Sequence, residues 1–275
     1  MGPLLHRSGH LLGCGRSPRW ESTISHPQLS VNVNKVALLR NARGYGVPSV
    51  LEAARTCIEA GSHGITIHPR PDERHITAAD VDELAALLAD HPDVEFNIEG
   101  NPFEGRFLQH VEATRPHQAT LVPDAPGQST SDHGWDVRRD GGRLVPIIER
   151  IRAQGTRVSL FVDPDPGQVG EVPATRADRV ELYTEGYARA FREGSHESVL
   201  AGYARAATRA TEVGLGLNAG HDLNRANLGA FREAIPNLLE VSIGHELIAD
   251  ALWLGLDGSV RAYLGALGHP APSSC

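Results

Sequence analysis

The chain has 275 residues, a formal net charge of -8 and 40% hydrophobic residues, with no apolar run long enough to span a bilayer. The acidic balance argues against nucleic acid as a partner. Cys14, Cys57 and Cys275 lie far apart with no CxxC, which points to a reducing cytosol and away from a disulfide framework or a thiolate zinc site.

Residues 1–28 carry Arg7, Arg16 and Arg19 with no acid before Glu21, and Leu4-Leu5 and Leu11-Leu12 are too short for a signal-peptide core. They are expected to form a poorly ordered N-terminal extension outside the fold, and residues 268–275 a short C-terminal tail. Between these limits, residues 29–267 alternate short apolar strands with helical stretches. The strands are expected at Leu29–Asn34, Gly64–His68, Glu95–Glu99, Gln118–Val122, Arg157–Asp163, Arg179–Thr184, Leu215–Gly220 and Glu240–Gly244. Helices are expected at Ser49–Ala60, Ala78–Ala89, Gly142–Gln154, Ser195–Val213 and Asn224–Glu233. Eight strands alternating with helices indicate a single (β/α)8 barrel of the TIM type. A doubly wound open sheet is disfavoured, because no GxGxxG turn follows the first strand.

The strands have a period of two. One face is apolar, as in Ile65 and Ile67, Phe96 and Ile98, or Val241 and Ile243; the other carries Asn32, Asn34, Thr66, His68, Asn97, Glu99, Glu181, Asn218 and Ser242. If the apolar face meets the helices, the polar one lines the barrel. Leaving such groups unpartnered would cost about 1–3 kcal/mol each, so they must bind one another, water or a polar ligand.

Catalytic residues of such barrels sit at the C-terminal ends of the strands. There the sequence places Asn32, Asn34 and Lys35; His68 and Arg70; Glu99; Glu181; Asn218 and His221; Gly244 and His245. Two carboxylates and three histidines at one mouth suit acid–base catalysis near neutral pH. The stretch GITIHPRPDERHIT at 64–77 brings Arg70, Arg74 and His75 into one loop, a receptor for an anion. The glycine-bearing ends Asn218–His221 and Ile243–His245, the second running into a helix, match the phosphate cradle of barrels. Lys35 is the one lysine in the chain, beside 25 arginines.

Taken jointly and in order, Leu39–Arg43, GITIHPRPDERHIT, Asn97-Ile98-Glu99, Leu121-Val122-Pro123, VSLFVD at 158–163, Glu181 with Tyr187-Ala188, NAGHDL at 218–223 and Ser242–His245 resemble the pyridoxine 5'-phosphate synthase family. The resemblance covers residue 29 to the final helix near Leu267. It implies a barrel that condenses 1-deoxyxylulose 5-phosphate with 3-amino-2-oxopropyl phosphate to pyridoxine 5'-phosphate, inorganic phosphate and water, with no metal or organic cofactor. By position it makes His68 and Glu99 proton acceptors and His221 a proton donor, with Glu181 stabilising cationic intermediates such as an imine. Asn32, Arg43, Asp222, Gly244 and His245 would hold the aminoketone phosphate and the phosphate cradle; Arg70, His75 and Thr130 would hold the sugar phosphate. The family implies a cytoplasmic octamer built from dimers, with Arg43 crossing into a neighbouring site.

The chain departs from the more familiar pattern in three places. Asn32-Val33-Asn34-Lys35 stands for Asn-x-Asp-His, Tyr183-Thr184-Glu185 for His-Thr-Gly, and Asp222 for a glycine. Lys35 is accordingly expected to bind sugar-phosphate oxygens as a point charge. Two rival readings remain: a metal-dependent barrel hydrolase or isomerase using His68, Glu99, His221 and His245 as ligands, and a paralogue that binds a phosphorylated metabolite without turnover.

Overall fold

The computed structural model describes residues 26–125, 127–128 and 130–270; most of the expected N-terminal extension and the last five residues of the tail lie outside them. Among the described residues, eight parallel strands close on themselves in sequence order, with β8 returning to pair with β1. They are β1 (Gln28–Asn32), β2 (Gly64–Ile67), β3 (Glu95–Gly100), β4 (Gln118–Leu121), β5 (Arg157–Val162), β6 (Arg179–Leu182), β7 (Gly216–His221) and β8 (Glu240–Ile243).

Around them run α1 (Asn34–Asn41), α2 (Val50–Glu59), α3 (Ala78–Ala89), α4 (Phe107–Thr114), α5 (Val137–Arg152), α6 (Pro166–Glu171), α7 (Glu185–Arg192), α8 (Glu197–Glu212), α9 (Leu228–Ala234), α10 (His245–Leu254) and α11 (Leu256–Ala266). Side-chain caps start several of these helices: Ser49 for α2, a Thr77–Asp80 capping box for α3 and Asp136 for α5. Neither α1 nor α10 has one from its N-cap residue; in α1 the Asn34 and Val36 N–H groups are taken by Asn32 Oδ1 and the Val33 carbonyl, so of the two the start of α10 is the more open to another acceptor.

Several boundaries differ from the sequence expectation. The first strand ends at Asn32, because Asn32 Oδ1 accepts from Asn34 N–H (3.0 Å) and turns the chain into α1. Lys35 therefore sits in the first turn of a helix and not at a strand end. The Asp136 cap starts α5 five residues before Gly142. A turn in which Asn224 Oδ1 accepts from Ala226 and Asn227 N–H delays α9 to Leu228.

The period of two divides the barrel as expected. Val31, Ile65, Ile67, Ile98, Val180, Leu217, Val241 and Ile243 are buried in the layer between strands and helices. The other face fills the interior with a bonded polar network. Ser30 pairs with Thr66 (2.7 Å), Asn97 Nδ2 donates to Thr66 (3.3 Å), and Thr120 donates to Asn97 Oδ1 (3.1 Å). Below them Arg157 bonds Glu95 (2.6 Å) and Gln118 (2.9 Å), while Arg179 bonds Asn218 (3.0 Å) and Glu240 (3.3 Å). Buried charge is tolerated there because each carboxylate meets a guanidinium. Paired polar groups thus fill most of the interior; Gln118 Nε2, Ser159 Oγ and Glu240 Oε1 have no hydrogen-bond partner among the described residues, and neither does Glu181 Oε2 nearer the C-terminal rim.

Candidate active site

At that rim a cavity of about 320 Å³ opens, lined by thirteen of the fourteen site residues expected from sequence. They are Asn32, Asn34, Lys35, His68, Arg70, His75, Glu99, Thr130, Glu181, His221, Asp222, Gly244 and His245. Arg43 is the exception: it lies exposed just beyond α1 and does not reach the cavity of its own chain.

Each strand end contributes one element. Asn32 Nδ2 donates to Glu99 Oε2 (3.4 Å), and Ser242 from β8 donates to Glu99 Oε1 (3.5 Å). Asn34 uses its side-chain carbonyl to accept from His68 N–H (2.9 Å), so it braces the end of β2. The His68 ring lies between two carboxylates, with Nδ1 3.7 Å from Glu99 and Nε2 3.6 Å from Asp124. Both separations exceed a hydrogen bond and leave the ring able to meet a ligand. Arg70 donates to Asp124 Oδ2 (2.5 Å) and the Gln128 carbonyl (3.1 Å), and Arg74 to the same carbonyl (2.9 Å). The loop after β2 is thereby tied to the loop after β4, which carries Thr130 over the cavity to meet His221 Nε2 (2.8 Å).

The electrostatics separate these groups by protonation state. Burial, then the Asp124 charge, raises the Glu99 carboxyl to about 8. Burial and the neighbouring Glu99 raise Glu181 likewise, and Glu181 Oε2 has no hydrogen-bond partner among the described residues. Burial and then Arg70 hold His68 well below the usual imidazole range, and the same causes push His75 down to about 4. Both rings are neutral at pH 7. His75 Nδ1 accepts from Ile76 N–H (2.9 Å), which keeps its proton on Nε2. His221 goes the other way: burial lowers it, but its bond to Asp222 and the surrounding carboxylates prevail and leave it raised.

Sequence reasoning missed Asp124, Ser131 and Phe161. Asp124 is the largest omission, since it is buried and joins Arg70, His68 and Ser131 (2.9 Å). Its signal was present: Asp124 follows the end of β4 in Leu121-Val122-Pro123-Asp124, where the strand-end rule applies as it does to Glu99. Phe161, inward-facing on β5, closes the cavity wall with an apolar ring. Among the described residues, no group of three or more His, Cys, Asp or Glu side chains is arranged to hold a metal ion, the proposed ligands His68, Glu99, His221 and His245 included.

Comparison with known proteins adds the chemistry's context. Among solved structures, 3-keto-L-gulonate-6-phosphate decarboxylase from Vibrio cholerae O1 biovar El Tor matches with a TM-score of 0.59 at 8% identity, over 88% of this chain and 98% of that one. Phosphoribosyl anthranilate isomerase from Thermotoga maritima matches with a TM-score of 0.55 at 11% identity, again over 88% and 98%. At these identities the likeness concerns the barrel alone. The pyridoxine 5'-phosphate synthase of Xanthomonas axonopodis pv. citri is 56% identical over 250 residues, covering 88% of this chain and 98% of the relative. That of Albidiferax ferrireducens is 56% identical over 241 residues, covering 86% and 96%. Residues 29–269 match the family model described as pyridoxal phosphate biosynthesis protein PdxJ, and with that span and these relatives the chain belongs to the PdxJ family.

Proposed function

We propose that this chain is a pyridoxine 5'-phosphate synthase of vitamin B6 biosynthesis, joining 3-amino-2-oxopropyl phosphate to 1-deoxy-D-xylulose 5-phosphate and releasing phosphate and water. The observation that carries this reading is the meeting of His68, Glu99, Glu181 and His221, from four strands, in one cavity flanked by the N-terminal turns of α1 and α10. Lys35, Arg70, Arg74 and His75 give that cavity its anion-receiving side. Gly244 leaves the start of α10 open: a β-carbon there would stand 3.2 Å from the Asn32 side chain. Such a helix start holds a phosphate through free N–H groups.

Imine formation between the amine of one substrate and the ketone of the other expels water and needs a proton at the departing oxygen. A raised His221 supplies that proton, and neutral His68 accepts one from carbon or nitrogen. Glu99 enters protonated near neutrality, so it gives a proton before it can take the acceptor role; a cationic imine beside it would draw its carboxyl back toward ionisation. The same cation would find the unpartnered Glu181 Oε2.

The family context and the apolar surface also support assembly into a homo-oligomer in the cytoplasm. Leu38 and Leu39 on α1 and Leu252 and Trp253 on α10 are exposed, Trp253 to 86%, and the two helices pack side by side. Among the described residues, no helix is long and apolar enough to cross a membrane.

The test is turnover of both phosphorylated substrates by protein dialysed against a chelator, followed by absorbance of the pyridine product. Sustained turnover is expected, with kcat lowered about 10²-fold or more in Glu99→Gln and His221→Asn. Turnover that returns only with a stoichiometric divalent metal would transfer the site to metal-dependent chemistry instead.

A further inference from the structure

We propose that Asp222 is a positioning residue for His221: its carboxylate fixes the proton on Nδ1, stabilises the imidazolium, and leaves Nε2 as the nitrogen that exchanges protons with substrate. The inference rests on the functional reading above, and departs from the expectation that Asp222 binds substrate phosphate.

The geometry begins with the backbone. β7 ends at His221 with φ of 70°, in the left-handed region that a residue with a β-carbon seldom occupies. Gly220 before it can carry no β-carbon, since one would stand 2.3 Å from the Ser242 carbonyl oxygen. Asp222 N–H then donates to the Gly220 carbonyl (3.0 Å) and to Thr184 Oγ1 (3.3 Å), while the Thr184 hydroxyl donates to the same Gly220 carbonyl. On the far side, Asn227 is fully buried, approaches the Asp222 carbonyl with its amide (3.5 Å), and has its own carbonyl held by the Tyr187 hydroxyl (2.7 Å). The turn is therefore held at both ends, and it aims two adjacent side chains at each other.

Asp222 Oδ2 lies 2.9 Å from His221 Nδ1, and Thr130 Oγ1 lies 2.8 Å from Nε2. A carboxylate only accepts, so the proton between them belongs to Nδ1. Nε2 is left with a hydroxyl that can either donate or accept, at the edge of the cavity. Besides Asp222, the titratable groups facing His221 are Glu181 and Tyr183 at the end of β6, Asp124 in the loop after β4 and His68 after β2; the Tyr183 ring lies edge-on at 6.1 Å. His68 shares this cavity without a carboxylate in hydrogen-bond contact and is held neutral, whereas His221 is raised. Two things distinguish them: Arg70 and Arg74 stand beside His68, and His221 has a bonded carboxylate.

The test is an NMR titration of the ¹⁵N-labelled His221 imidazole in the substrate-free protein, assigned by comparison with His221→Asn. In Asp222→Asn the imidazole should titrate about one pH unit or more below the wild type. Because the donor must be protonated, the alkaline limb of the kcat–pH profile should move toward acid by the same interval, with the KM of both substrates changed less than about threefold. Asp222→Glu should restore part of the shift. Asp222→Gly carries the residue found there in the more familiar family pattern, and should reproduce Asp222→Asn should that variant fold poorly. Coincident titrations in wild type and variants, or a raised KM with an unmoved pH profile, would overturn the proposal. The titration needs no turnover, so a wild type that makes no pyridine product would count against the functional reading while leaving the dyad to be judged separately.

Discussion

Lys35 shows how an unfavourable local choice marks a ligand. A lysine in the first turn of a helix opposes the helix dipole, and α1 carries no acid there to offset it. The cost is tolerable if the ammonium meets an anion at the helix start. Lys35→Ala should therefore raise the KM for the sugar phosphate tenfold or more, as expected for loss of one charge-assisted contact of about 1.5–3 kcal/mol, with the KM for the aminoketone phosphate much less affected. Unchanged KM values in steady-state kinetics would remove Lys35 from the sugar-phosphate site. Glu181 offers a second test at this scale through stability. Its carboxyl is raised from 4.5 to about 8 in the folded chain, so between those values the folded state holds a proton the unfolded state has lost. That contribution is full below about pH 4.5 and disappears as pH rises through 8. His75, lowered from 6.5 to about 4, acts oppositely, contributing above 6.5 and losing its effect as pH falls through 4. The alkaline fall in Tm from pH 6 to 9 should be shallower in Glu181→Gln than in the wild type. Parallel curves by calorimetry would show that Glu181 is ionised throughout.

At the scale of elements, the close approach of β7 to β8 fixes where His221 stands. Gly220→Ala would drive a methyl group into the Ser242 carbonyl, so one of the two strand ends must move. A loss of about 1–3 kcal/mol is expected from overpacking, together with a fall in kcat larger than the loss of stability explains, because His221 shifts relative to Glu181. Denaturant unfolding and kinetics on the same preparation check both parts. The strands were legible because side chains in a barrel alternate strictly between two environments: Thr66, Asn97 and Glu99 could be assigned to the interior from the apolar partners between them. Helix starts were less legible where side-chain hydrogen bonds set them. Asp136 draws the start of α5 back past the Gly141-Gly142 pair, and the Asn224 turn postpones α9. The place of Asp124 after β4 was legible from the strand-end rule, but its pairing with Arg70 and His68, more than fifty residues away, leaves no trace in spacing along the chain.

For the whole molecule, the barrel separates stability from chemistry along its axis. The N-terminal half of the interior is filled by carboxylates paired with Arg157 and Arg179, and the C-terminal rim leaves Glu181, His68 and the first turn of α10 open to a guest. The exposed apolar surface of α1 and α10 is where the proposed homo-oligomer would form. Trp253→Glu should lower the mass measured by light scattering to that of a smaller assembly, and Arg43, exposed beside this surface, should then matter to activity only in the intact assembly. A wild type that runs as a monomer would detach Arg43 from the site altogether. The central claim is that one cavity unites two phosphorylated substrates and releases one of their phosphates. A ³¹P NMR time course with both substrates measures this directly. The two starting phosphate esters should decline together, while one new ester and free phosphate rise in equal amounts, with no change when either substrate is given alone. Release of phosphate from a single substrate, or loss of both esters without a new one, would contradict the account.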